Sequence, residues 1–219
     1  MDKKSEKLHL GCGLITPSSW INVDGSWNAL LAKHPLVKKI LMALHLAPAR
    51  LFDIPWSAEV VFHDVRRPLP FEDDSMEAVY ASHLLEHVYL EEAKKLLGEC
   101  FRVLKPGGVL RIMVPDLRGI VSQYNLRQPT NESKADRMIK SLDFCDTVPP
   151  SGNIFYRLYS YLKDLHAHRW MYDSDSLIFY LRGAGFNDVM EMPLHGSKIQ
   201  NIEEVELNEG LCVEGVKAG

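Results

Sequence analysis

The chain offers chemistry in a few short clusters. Gly11-Cys12-Gly13 directly follows the apolar run Leu8-His9-Leu10, and a second apolar run, Ile21-Asn22-Val23, ends in Asp24-Gly25. Glycines let the backbone approach a ligand closely because no Cβ stands in the way. An acid at the tip of the next strand can accept hydrogen bonds from two ribose hydroxyls. Asp64, followed by Val65, supplies a second acid after a third apolar run. These residues have the logic of a nucleotide site. Ser82 and His83 follow a fourth apolar run, and a neutral His83 imidazole is suited to removing a proton from a substrate hydroxyl.

His83-Leu84-Leu85-Glu86-His87 also fits the inverted zinc-hydrolase pattern H-x-x-E-H. On a helix, His83 and His87 share a face, which makes joint metal ligation sterically feasible. A hydrolase needs a third ligand and a substrate groove, and here the motif follows a buried strand. Glu86 and His87 also have a bland role open to them, capping and packing a helix start. No metal ligand set is assigned. Asp116 follows a fifth apolar run, where it either touches substrate or caps the next helix. The densest polar–aromatic cluster is His166-Ala167-His168-Arg169-Trp170-Met171-Tyr172-Asp173. It suits a pocket lid in which His168, Trp170 and Tyr172 meet the substrate, with the aromatics as stacking walls and Arg169 as an anion anchor. A connector whose aromatics pack under a sheet is the alternative.

Strands and helices must position these groups. Apolar runs at 7–10, 20–23, 60–63, 76–81 and 109–114 each precede a turn signal. Several are apolar throughout, as expected of strands buried on both faces. Residues 90–104 carry Ala93, Leu96, Leu97, Cys100, Phe101 and Leu104 at helical spacing, stopped by Pro106-Gly107-Gly108. Residues 34–47 read as a short amphipathic helix. Ser174-Asp175-Ser176 can cap a helix over 177–182, and 186–192 and 211–216 read as final strands joined by a polar, mobile stretch. Alternating strands and helices imply an α/β fold with right-handed crossovers.

The bulk numbers set limits. The chain has 219 residues, an apolar fraction of 46% and a charged fraction of 25%, which suits one domain with a sizeable core. A net charge of −4 gives no basic field for nucleic acid. The four cysteines lack CxxC spacing and read as reduced thiols of a cytoplasmic protein. No apolar stretch is long enough to span a membrane, and the charged start carries no signal-peptide core.

In order and spacing, four stretches resemble the class I S-adenosylmethionine-dependent methyltransferases of the type 11 kind: Leu8–Gly13; His63-Asp64-Val65 with Leu69-Pro70-Phe71-Glu72-Asp73-Asp74-Ser75; Ser82–Val88; and Arg102-Val103-Leu104-Lys105-Pro106-Gly107-Gly108. The resemblance runs from about Leu8 to Val216. It implies a Rossmann-like seven-stranded sheet of order 3-2-1-4-5-7-6, the last strand antiparallel, with helices on both faces. It implies S-adenosylmethionine as cofactor and S-adenosylhomocysteine as product. Leu10, Gly11, Cys12, Gly13, Asp24, Gly25, Asp64, Val65, Ser82 and His83 would bind the cofactor, with Asp24 on the ribose and Asp64 on the adenine amino group. His83 and His87 are the catalytic candidates, and Asp116, His168, Trp170 and Tyr172 the substrate candidates. The expected reaction is methyl transfer to a small molecule, such as the hydroxyl of a sugar, a surface-polysaccharide precursor or a lipid precursor. The alternatives are a catalytically silent cofactor-binding module and a zinc hydrolase using His83–His87.

The whole chain, 1–219, is expected to be one domain with insertions at about 26–55 and 117–169. It is expected to work in the cytoplasm as a monomer or homodimer on a small-molecule acceptor, without nucleic acid or integral membrane association. Two departures from the family pattern stand out. Its usual acid two residues before the first glycine is His9, and its third glycine is Ile15. The segment from Gly13 to Trp20 contains Pro17 and is too short for the usual first helix, so a loop or single turn is expected there.

Overall fold

Alternation in the strands divides the sheet into an apolar and a polar face. In β1 (Lys7–Leu10), Leu8 and Leu10 enter the main core, while His9 turns the other way against Trp20 and Tyr80. The computed structural model describes residues 5–43, 55–126, 132–144, 167–207 and 209–219. Its other strands are β2 (Ile21–Asp24), β3 (Val61–Phe62), β4 (Met76–Ser82), β5 (Leu104–Val114), β6 (Asn187–Met192) and β7 (Leu211–Val216). The sheet order is β3-β2-β1-β4-β5-β7-β6, with β7 antiparallel to both its neighbours. The expected order and the expected antiparallel last strand are both present.

The described helices are α1 (Trp27–Ala32), α2 (Pro35–Ala43), α3 (Leu90–Val103), α4 (Leu117–Asn125), α5 (Lys134–Leu142) and α6 (Ser174–Gly183). Helix α3 forms because Ala93, Leu96, Leu97, Cys100 and Val103 fall on one stripe, which packs into the main core. Its start is closed by Glu92, whose carboxylate accepts from the Tyr89 amide. Helix α6 begins three positions before the expected 177, at Ser174. Asp173 is its N-cap, exchanging hydrogen bonds with Ser176. The expected continuation of α2 to residue 47 lies outside the described residues.

Two expectations need correction. The fifth strand does not begin at 109, after Pro106-Gly107-Gly108; β5 starts at Leu104 and includes those residues. The reason is the chain's own end: Gly107 donates to the Lys217 carbonyl and Lys217 donates to that of Gly108, so the segment is held against the end of β7. The polar connection between β6 and β7 is not a loose linker either. Its Ile199, Ile202 and Val205 are buried against Trp20, Tyr80 and Met113, covering the polar face of the sheet.

Arg111 locks that cover in place. It is fully buried on β5, and its Nε and Nη2 reach the two carboxylate oxygens of Glu206 at 2.6 and 2.9 Å. Nη1 donates to Glu214 and to the Gly196 carbonyl, and Nη2 also donates to the Pro193 carbonyl, each at 3.0 Å. A buried guanidinium is tolerated when its donors are met this fully. No helix among the described residues is long and apolar enough to cross a membrane.

Candidate active site

The parallel strands β1, β2, β4 and β5 end together, so the loops that follow them share one edge, where open α/β sheets bind ligands. The first loop turns tightly because Gly11 and Gly13 both have positive φ, +66° and +54°. Ile15 donates to the Cys12 carbonyl, and the chain reaches β2 without a helix, as expected from the short segment with Pro17. A side chain at Gly13 would meet nothing within 4 Å, so this part of the turn borders open space. At Gly11 a Cβ would come within 3.1 Å of the Leu84 side chain. Leu10 and Cys12 are buried beneath the turn, and burial pushes the Cys12 thiol up to about 12, so it stays protonated.

Asp24 is tied to that turn. Its Oδ2 accepts from the Gly13 amide at 3.0 Å and its Oδ1 from the Ser26 amide at 2.8 Å. Each carboxylate oxygen keeps a further acceptor site. Gly25 is glycine for a different reason from ligand approach: a Cβ there would sit 2.8 Å from the His63 carbonyl oxygen. Asp64 is gripped by Arg66 through two bonds of 2.8 Å, and the guanidinium holds its carboxyl below the usual range. Sequence reasoning named Asp64 but passed over Arg66, although their i, i+2 spacing is a usable signal. Val65 packs into the main core. His9 is buried, and burial lowers its imidazole to about 4, so it is neutral where the family carries an acid.

His83 follows β4 with φ of +48°, so it cannot begin a helix. Only a single 3-10 turn, Leu85–His87, comes after it. The expectation that His83 and His87 share a helix face therefore fails. His83 instead turns its Nδ1 to Oε1 of Glu86 at 3.1 Å. Against a carboxylate that nitrogen carries the proton, and in the neutral ring Nε2 then holds the lone pair. The carboxylate holds the His83 imidazole above its ordinary value, with burial acting in the opposite direction and the Glu209 backbone adding to the rise. Ser82 lies at the end of β4, its hydroxyl against the Met113 sulfur.

The segment from His168 to Tyr172 lies directly beside this turn. The amides of Arg169 and Trp170 both donate to the Glu86 carbonyl, at 2.6 and 3.2 Å. The rings of His87 and His168 stand 5.0 Å apart, edge to face. Tyr172 forms a parallel bridge to Asp116, and the Leu117 amide donates to its carbonyl. Tyr172 is 1% exposed and packs in the core, so it is no stacking wall for a ligand; burial pushes its phenol up. Trp170 is exposed. Asp116 caps α4, accepting from the Arg118 amide. His166 lies outside the described residues.

Residues 8–112 match a family model described as a methyltransferase domain. Over those residues the chain carries a class I S-adenosylmethionine-dependent methyltransferase domain. Among solved structures, the chain is similar to a SAM-dependent methyltransferase from Archaeoglobus fulgidus, 18% identical, with a TM-score of 0.48 over 97% of this chain and 86% of that one. Phosphoethanolamine N-methyltransferase 2 of Haemonchus contortus is 14% identical, with a TM-score of 0.51 over 100% of this chain and 50% of that one. The second likeness concerns the fold alone. No curated protein matches the chain.

The matched part of the methyltransferase domain stops within β5, before Asp116 and the His168–Tyr172 segment. Those residues are therefore features of this chain outside the family match. The methyltransferase domain also holds a residue outside the expected site, Glu86, for which the sequence alone also allows a capping or packing role.

Proposed function

We propose that this protein transfers a methyl group from S-adenosylmethionine to an oxygen of a small acceptor, such as a sugar, surface-polysaccharide or lipid precursor. The observation that carries the reading is the joined pair of Gly13 and Asp24: a positive-φ glycine turn bordering open space, with its amide fixed to the acid at the tip of β2. The residues fit the cofactor. Asp24 retains acceptor sites for the ribose hydroxyls, and the amides near Gly11 and Gly13 suit the methionine end. Asp64, shared with Arg66, and Val65 would take the adenine.

When bound, the cofactor supplies an electrophilic methyl on a sulfonium. The protein's part is alignment of the acceptor oxygen with that methyl. Nε2 of His83 accepts the hydrogen bond of the acceptor hydroxyl and takes its proton as the new C–O bond forms. Ser82 borders the same edge, and His87 lies next to it. Asp116, His168 and Trp170 would bound the acceptor. We take residues 1–219 as one domain with insertions at about 26–55 and 117–169, acting in the cytoplasm as a monomer or homodimer.

Calorimetry with S-adenosylhomocysteine tests the reading. Binding with Kd of about 100 μM or tighter is expected. Gly11→Val is expected to abolish that binding while circular dichroism stays unchanged, because the new side chain meets Leu84 at a positive φ. Normal binding by this variant would refute the cofactor's placement. Binding with no methyl transfer to any acceptor in a cell extract would favour the silent module instead.

A further inference from the structure

Beside the methyl-transfer edge, three potential ligands converge from two distant parts of the chain. One ligand atom each from Glu86, His87 and His168 lies within 4.8 Å of the others. Glu86 is completely buried, yet its Oε2 has no hydrogen-bond partner. A buried carboxylate oxygen without a donor is costly. Its other oxygen is already engaged by His83. His168 is oriented as metal-binding histidines are: Nδ1 lies 2.8 Å from the Leu142 carbonyl oxygen, so Nδ1 donates and Nε2 keeps its lone pair. The backbone supports the arrangement, since two amides of the His168 segment donate to the Glu86 carbonyl.

We propose that Glu86, His87 and His168 form a divalent transition-metal site. Two imidazoles and one carboxylate suit zinc, cobalt or a related d-block ion, whereas magnesium and calcium prefer all-oxygen sets. Three protein ligands leave a coordination position for water or an acceptor oxygen. This set differs from the pair suggested by the sequence. His83 is not a ligand; it fixes the orientation of Glu86 from the second oxygen. The ion would join the turn after β4 to the segment before α6, which belong together only in the folded chain. The site stands on its own geometry and does not require the methyl-transfer reading.

The test uses the full chain, stripped with a chelator and titrated with Co2+, followed by competition with Zn2+. Saturation at one equivalent is expected, with visible absorption bands of nitrogen- and oxygen-bound cobalt that Zn2+ abolishes. His168→Ala and His87→Ala should each weaken binding about 100-fold or more, since even loss of a supporting group costs 10–100-fold. His83→Ala should keep one-equivalent binding. Glu86→Gln is checked by thermal melting, and if it fails to fold, the two histidine variants carry the test. Absence of saturable cobalt binding overturns the proposal, as does wild-type affinity and spectrum in His168→Ala. Metal binding with no S-adenosylhomocysteine binding would leave this site standing and remove the methyl-transfer reading.

Discussion

On one face of the sheet, α3 and α6 press Leu96, Leu97, Leu177 and Leu181 against Leu8, Leu10, Leu110 and Ile112. On the other, a connection with one 3-10 turn covers His9, Tyr80 and Arg111, and an ion network holds it down. Helices satisfy their own backbone and need only an apolar stripe to dock. The irregular cover leaves carbonyls unpaired. Arg111 takes up two of them, from Pro193 and Gly196, while pairing with both glutamates. The cover stands where a helix between β1 and β2 would be expected to lie. Lys7 and Ser19 also reach across to it, donating to the Gln200 carbonyl and the Glu204 carboxylate.

The contrast breaks first at Arg111. Arg111→Met leaves two buried carboxylates without their cation and should cost about 4 kcal/mol in urea unfolding. Replacing Glu206 and Glu214 with leucine in the same chain should recover most of that loss. A cost below about 1 kcal/mol for the single change would mean that the network does not hold the cover. On the helical face, Leu97→Ala removes buried apolar volume and should cost about 3 kcal/mol, with no dependence on pH.

His9 makes the polar face pH-sensitive. Its folded value, about 4, lies below the unfolded value of 6.5, and above 6.5 the ring is neutral in both states. As pH falls from 6.5 toward 4, the unfolded chain binds a proton that the folded chain excludes. Stability should therefore drop over that window, by up to about 3 kcal/mol, and no further below it. His9→Phe should flatten this part of the pH profile; an unchanged slope would assign it to other groups. The smallest effect is expected at Lys7, whose tie to Gln200 is exposed. Lys7→Ala should cost less than about 1 kcal/mol in the same unfolding measurement.

Much of the site was legible because its signals are local. Gly11 and Gly13 sit where positive φ is needed, and an acid closes the run at Asp24. The stripe from Ala93 to Val103 makes α3 wherever it docks. The sequence also contained a sign of the β6–β7 cover, since Ile199, Ile202 and Val205 recur every three residues, but the polar residues between them hid it. Three of the four cysteines, Cys12, Cys100 and Cys212, are buried free thiols as expected, and Cys145 lies outside the described residues.

By itself, then, the sequence determined the strand order's building blocks, the glycine turn and the acids that follow β2 and β3. These depend on backbone preference and on neighbours a few residues away. Only the tertiary structure decided that Arg111 lies inside, that His83 pairs with Glu86 rather than sharing a helix face with His87, and that His168 comes beside them. No spacing rule encodes these contacts. They arise where the strand ends and the chain between β5 and α6 meet, and burial there forces each polar atom to find a partner.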